Sequence, residues 1–326
     1  MGRAKIIKNF ASRLADFDQR ADTATPALVL PFPTGRAYKR KDGLPCFDEV
    51  FFKPIGEDVV RHRRQQEVIA ENKAIRNGVY IGTAGIANYG YMAHSRASAA
   101  ILFDINPLQR LLHEEMIKIF AANPTLEGAQ KELLELPQRF IKRVESSLTK
   151  EQVEKLKGVG VLKNPRVNPS YVVSYRDPEI FSEELASFIG MPREDRTDRR
   201  HPIMGLDDRK TYAHLHALAK NNAIACVTLD IKDTKGWQVI TKHIKANGAE
   251  VSLAYVSNIF YFMRGQEVDF AHTPLLKGSL EKAWRNVNRL APLYTLYGHG
   301  RAHTLKMSDE GIVPRVSVLV CQGIHF

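Results

Sequence analysis

The chain has 326 residues, a mass of 36.8 kDa and a formal net charge of +11 at pH 7, with 44% hydrophobic and 25% charged residues, the balance of an ordinary globular protein. No apolar run approaches the roughly 20 residues that a bilayer crossing needs, and Met1 to Phe10 has no continuous apolar region, so neither a transmembrane protein nor a signal peptide is expected. Cys46, Cys226 and Cys321 are far apart and odd in number, which fits reduced thiols in a cytoplasmic protein rather than a disulfide framework or a zinc cluster.

Residues 1–76 read as an N-terminal arm with helices, ahead of a cofactor-binding domain over 77–326. In the arm, apolar residues at positions 6, 7, 10, 14 and 17 have helical spacing, suited to packing on the body. Pro26 to Pro33 reads as an extended segment, and Val59 to Arg76 as helix-forming chain that Gly78 stops before a strand. The strand Gly78-Val79-Tyr80-Ile81-Gly82 runs into the turn Thr83-Ala84-Gly85, a helix containing Asn88 and Tyr89, and a second strand, Ala100 to Asp104.

That order is a nucleotide-cofactor half-site: the turn brings backbone N–H groups to a ligand, and a carboxylate about 20 residues on accepts hydrogen bonds from ribose. Asp104 lies 22 positions after Gly82. The turn lacks the Gly-x-Gly-x-x-Gly of a pyrophosphate cradle, and the chain has no Gly-x-x-x-x-Gly-Lys-Ser/Thr run. S-adenosylmethionine, which has no phosphate, needs only a permissive turn and an acid for its ribose. The cofactor-binding candidates are therefore Gly82, Thr83, Gly85, Asn88, Tyr89, Asp104, Ile105, Asn106 and Gln109.

Pro107 to Ala122 reads as a helix with an apolar stripe. Residues 124–205 exceed what a minimal strand-helix-strand unit requires and are expected to form a helical insertion, with a short strand at Tyr171 to Val173. The alternation then resumes: a helix over Asp207 to Asn221, a strand over Ala223 to Asp230, a helix over Lys235 to Asn247 closed by Gly248, and a strand over Glu250 to Asn258. Alternation of this kind implies a parallel sheet with ligands at the carboxyl ends of its strands. Asp230 and Ser257 join the cofactor candidates on that rule, and Asp233, Asn258 and Tyr261 are candidates for orienting or deprotonating an acceptor. Further candidate bases are His94, His299 and His303. The last two sit in a glycine-flanked turn with no third ligand apparent, so no metal site is expected. Leu293 to Met307 and Pro314 to Gln322 read as a C-terminal antiparallel hairpin.

Basic residues cluster at 36–41, 61–64 and 193–200. Such runs suit nucleic acid or an anionic surface, or are simply solvated faces, and no known nucleic-acid-binding motif accompanies them.

The segments Gly78 to Gly82 with Asn88-Tyr89, Phe103-Asp104-Ile105-Asn106-Pro107-Leu108-Gln109, and Ala254 to Ile259 with the Asp230 strand together resemble a little-characterised bacterial family. Its fold is Rossmann-like, of the S-adenosylmethionine-dependent methyltransferase type. The resemblance covers roughly residues 60–322. It implies an α/β fold with a mostly parallel sheet, helices on both faces, the N-terminal arm, the helical insertion and the C-terminal hairpin. It also implies a transferase using S-adenosylmethionine on an unidentified small or macromolecular acceptor. Related folds transfer an aminocarboxypropyl group or cleave the cofactor internally. The alternative function is a non-catalytic basic binding module on a degenerate scaffold of the same kind.

Overall fold

The computed structural model describes residues 5–14, 66–83, 85–104, 107–147 and 208–256, parts of 282–290, and short strands at 294–296 and 317–318. Four strands form the body of one sheet: β1 (Val79–Thr83), β2 (Ala99–Asp104), β3 (Ile224–Thr228) and β4 (Val251–Tyr255). Two shorter strands, β5 (Tyr294–Leu296) and β6 (Ser317–Val318), extend it. The order is β3-β2-β1-β4-β5-β6, and every neighbouring pair is parallel. Such a sheet must be covered on both faces, which is why β1 and β4 are buried at all five positions and carry near-continuous apolar sequence.

The helices with both ends among the described residues are α1 (Ala87–His94), α2 (Pro107–Ala122), α3 (Leu126–Leu134), α4 (Leu136–Ser147), α5 (Arg209–Lys220) and α6 (Thr234–Ala246). Strand alternation assigns them to faces. Tyr80 pairs with Ala100 and reaches Asn88 of α1, whereas Phe103, three positions beyond Ala100, meets Trp237 of α6 on the other side at a ring-centroid distance of 4.9 Å. Helices thus cover both faces. On the first face α2 lies against β2 and β3, and α5 packs on both α1 and α2. His214 of α5 donates from Nε2 to the Ala97 carbonyl (2.9 Å), and His216 Nδ1 meets the Phe120 carbonyl (2.7 Å), tying α5 to the turn before β2 and to α2.

Sequence explains the helix ends. Thr125, Asp208 and Asp233 have extended backbone and accept from amides of the first turns of α3, α5 and α6. The α6 terminus is the expected glycine stop: Gly248 has φ of +63°, its amide bonds Lys245 O, and the Ala249 amide bonds Ile244 O.

Three expectations are corrected. β5 and β6 pair in parallel, not as an antiparallel hairpin; the chain between them is long enough for a crossover, which parallel strands require. The arm forms a 3-10 turn, Ala11–Leu14, after a left-handed residue at Asn9 (φ 56°), where a helix was expected, and is helical at 66–71 ahead of a second 3-10 turn, Lys73–Ile75. Its apolar side chains still pack, with Phe10 and Leu14 in the core and Phe10 against the ring of His243. The break before β1 falls at Asn77 (φ 66°), while Gly78 is a glycine for contact: a Cβ there would stand 2.4 Å from Ser252 Cβ on β4.

The described start of the insertion, α3 and α4, packs against α2. Arg143 bridges from α4 to Glu114 and Glu115 of α2, and Arg209 of α5 reaches Glu127 of α3. The rest of the 124–205 segment, the strand read at 171–173 and the basic clusters at 36–41, 61–64 and 193–200 lie outside the described residues.

Candidate functional site

Parallel strands deliver loops and helix N-termini to one edge, and ligands bind where neighbouring connections leave in opposite directions. Here that point lies between β1 and β4, because β2 and β3 extend the sheet to one side of β1 and β4 to β6 to the other. The carboxyl edge there comprises Thr83, Asp104, the loop from Leu229 to Asp233, and Tyr255-Val256.

The turn after β1 is built around Asn88, whose side chain is fully buried. Its Oδ1 accepts from the Tyr80 hydroxyl (2.6 Å), and its Nδ2 donates to the Thr83 carbonyl (2.9 Å) and to the Gly85 carbonyl. One side chain in α1 therefore fixes two carbonyls of the turn that precedes it. Gly82 completes this arrangement: a Cβ there would lie 1.8 Å from Asn88 Oδ1 and 2.6 Å from the Tyr80 hydroxyl. The glycine thus admits a protein side chain. Gly82→Ala is expected to cost about 2 kcal/mol, within the usual range for overpacking. In an Asn88→Ala background, with the nearer obstacle removed, the same change costs less, so urea unfolding of the four variants gives a non-additive cycle.

The α1 N-terminus has no side-chain cap, and its first amides turn inward, Asn88 N to Gly85 O (3.4 Å) and Tyr89 N to Ile86 O (3.1 Å). Amides so engaged are less available to a pyrophosphate, which such a site holds through free helix-terminal N–H groups.

Asp104 ends β2 and is half-buried, while its carbonyl accepts from the Leu229 amide (2.8 Å). Asp230 is also half-buried, but its carboxylate already serves its own loop. Oδ1 accepts from the Lys232 amide (2.8 Å), and Lys232 Nζ stands 3.5 Å from Oδ2. Asp233 is exposed and caps α6 through the Lys235 and Gly236 amides (3.1 and 3.2 Å).

Tyr89 and Gln109 are buried in the first turns of α1 and α2 and meet at a residue that sequence reasoning passed over, His113. Gln109 Nε2 lies 3.2 Å from His113 Nε2, and His113 Nδ1 lies 2.8 Å from the Tyr89 hydroxyl, which is itself 3.4 Å from the His113 carbonyl. With the Gln109 amide donating, the chain runs one way: Nε2 accepts, Nδ1–H donates to the tyrosine oxygen, and the hydroxyl donates to the carbonyl. Burial, with Cys226 nearby, holds the Tyr89 hydroxyl well above its usual range, so it stays a neutral donor. The Gln109-x-x-x-His113 spacing, one turn of helix, was the available signal.

His94 ends α1 and so lies toward the amino edge of the strands, near Ser95 to Ser98, away from the other candidates. Ile105, Asn106, Ser257, Asn258, Tyr261, His299 and His303 lie outside the described residues. Among the described residues no three His, Cys, Asp or Glu side chains gather as a metal site, and no helix is long and apolar enough to cross a membrane.

A family model described as a domain of unknown function, DUF7790, matches residues 60–274, more than half of the chain. The chain belongs to this family. The match takes in β1 to β4 and α1 to α6, hence the carboxyl edge described above, and ends before β5. The comparison with curated proteins gives no match.

Proposed function

We propose that the protein binds S-adenosylmethionine at the carboxyl edge beside β1 and β4 and transfers its methyl group to an acceptor, as a member of the Rossmann-like methyltransferase type. The observation that carries this reading is Asp104. It is a half-buried carboxylate at the end of β2, next to the point where the connections diverge, where such folds place the acid that receives ribose hydroxyls. The backbone from Thr83 to Gly85 would face the amino-acid end of the cofactor. Gly82 is accounted for by Asn88 and Tyr80, so its role is to hold that backbone rather than to touch the ligand. Bound, the cofactor supplies an electrophilic methyl group on sulfur. The protein's part is then alignment of the acceptor and removal of its proton, for which Asp233, Asn258 and Tyr261 are the candidates.

The test is calorimetric titration with S-adenosylmethionine, S-adenosylhomocysteine and NADH. Micromolar binding of the adenosyl compounds is expected, with Asp104→Ala weakening it ten- to a hundredfold in a protein that still unfolds cooperatively, as loss of a charged hydrogen bond would. Equal affinity in the variant, or no binding, overturns the reading. A second reading has the parallel β6 in its favour: the order β3-β2-β1-β4-β5-β6 with all pairs parallel is that of dinucleotide-binding sheets. The inward-turned amides of α1 and the missing glycines weigh against it. Binding of NADH alone would select it. If the adenosyl cofactor binds, product mass separates methyl from aminocarboxypropyl transfer and from internal cleavage.

A further inference from the structure

Among the described residues, charge is divided unequally between the faces of the sheet. On the side of α2 to α5, acids and bases are interleaved and paired, with Arg110 on Glu114, Lys118 on Glu115, Arg139 on Glu132 and Glu135, and Arg143 on Glu114 and Glu115. On the side of α6 the pattern ends. Residues 234–246 contain no acid, and the exposed positions of α6 include Lys235, Lys242 and Lys245, with Val239 between them. Their spacing puts the three lysines along one stripe about 15 Å long.

Two neighbours widen the stripe. At the start of α6, Asn286 donates to the Ile231 carbonyl (2.9 Å) and Arg289 to the Thr234 carbonyl (3.3 Å), which brings exposed Lys282 and Arg289 alongside. Toward its end, His243 Nε2 donates to the Phe10 carbonyl (3.0 Å), and the exposed Arg13 is close enough to act on the His243 ring. Residues 5–14 and 282–290 contain no acid either. Among the described residues none of these six cations is in an ion pair.

We propose that this face, formed by α6 flanked by the arm and the 282–290 segment, binds the phosphate backbone of nucleic acid without reading its sequence. Six cations, bordered by the exposed acid Asp233 at the start of α6, form an electrostatic footprint suited to a polyanion. An anionic membrane fits less well, because surface helices on membranes bury an apolar face, and Val239 is the one large exposed apolar residue among the described residues. The proposal is independent of the cofactor reading and is tested without cofactor.

The experiment is fluorescence anisotropy of a labelled short duplex and a labelled single strand across a salt series. Micromolar binding at low salt is expected, with log K falling linearly with log salt at a slope of about −5 if all six cations meet duplex phosphates. The exposed-site triple variant Lys235→Gln/Lys242→Gln/Lys245→Gln is expected to bind at least tenfold more weakly, with a slope shallower by about 2 to 3. The control Lys118→Gln/Lys131→Gln/Lys142→Gln, equal in charge change but on the other face, should bind as the unmodified chain does. No binding, or equal losses in the two triple variants, overturns the proposal. So does capture by phosphatidylserine vesicles with no nucleic-acid binding. Because every arm is read without cofactor, failure here leaves the Asp104 test untouched, and the reverse holds as well.

Discussion

Trp237→Ala is expected to lose about 4 kcal/mol of stability, the range for removing a fully buried large aromatic side chain. Trp237 has no exposed surface and sits edge-on to Phe103, the residue before Asp104, at an interplanar angle of 82°. Its Nε1–H donates to the Asp230 carbonyl (3.3 Å). The indole thus joins the end of β2 to the loop after β3, which are two of the walls of the candidate site. Trp237→Phe retains most of the apolar burial but leaves the Asp230 carbonyl without that donor, so it should cost about 1 to 2 kcal/mol. Urea unfolding of both variants measures the difference. Should Trp237→Ala unfold within 1 kcal/mol of the unmodified chain, the α6 face is not a packed core layer at all.

Acid provides the second large effect. Burial pulls the His214 imidazole down to about 4, against the help of its hydrogen bond to Ala97 O and with Arg96 adding to the depression. His243 is lowered in the same direction, by burial first and by Arg13 second. In the unfolded chain these rings take up protons near pH 6.5, whereas the folded chain resists protonation down to the lower value. The unfolded state therefore binds more protons in between, and stability is full above pH 6.5 and falls as the pH drops toward 4. His214 alone accounts for about 3 kcal/mol across that window. Chemical denaturation at a series of pH values should show the slope, and His214→Gln, which keeps a donor toward Ala97 O, should flatten it. A flat profile in the unmodified chain would mean that His214 is charged in the fold.

The body of the sheet and its helices were legible in the sequence because each carries a local signal. Pro107 to Ala122 has an unbroken apolar stripe and is a helix with those bounds, and Gly248 closes its helix as read, whereas Asp233, read as an acceptor-side candidate, caps α6. What escaped was the partner of each motif. Gly82 looked like a ligand-facing glycine because sequence does not reveal that Tyr80 and Asn88 meet across it, and Tyr89 and Gln109 looked like contacts because their common partner, His113, was passed over. The direction of β6 escaped for another reason: short apolar runs have the same alternation whichever way they pair, and only the course of the chain between them decides. Asp104 kept its expected position, because the end of a buried strand is itself a strong local signal.

The seating of Phe10 sets an order on the birth of the molecule. Its carbonyl is held by a residue 233 positions further on, and its neighbours Asn9 and Ala11 bond to Asn221 and Asn222. At ordinary rates of synthesis the arm emerges on the order of 10 to 50 s before its partner exists. During that interval Phe10 and Leu14 have no core to enter. This early segment is thus among the last to dock, and it packs against the sheet only after β3 and α6 have formed.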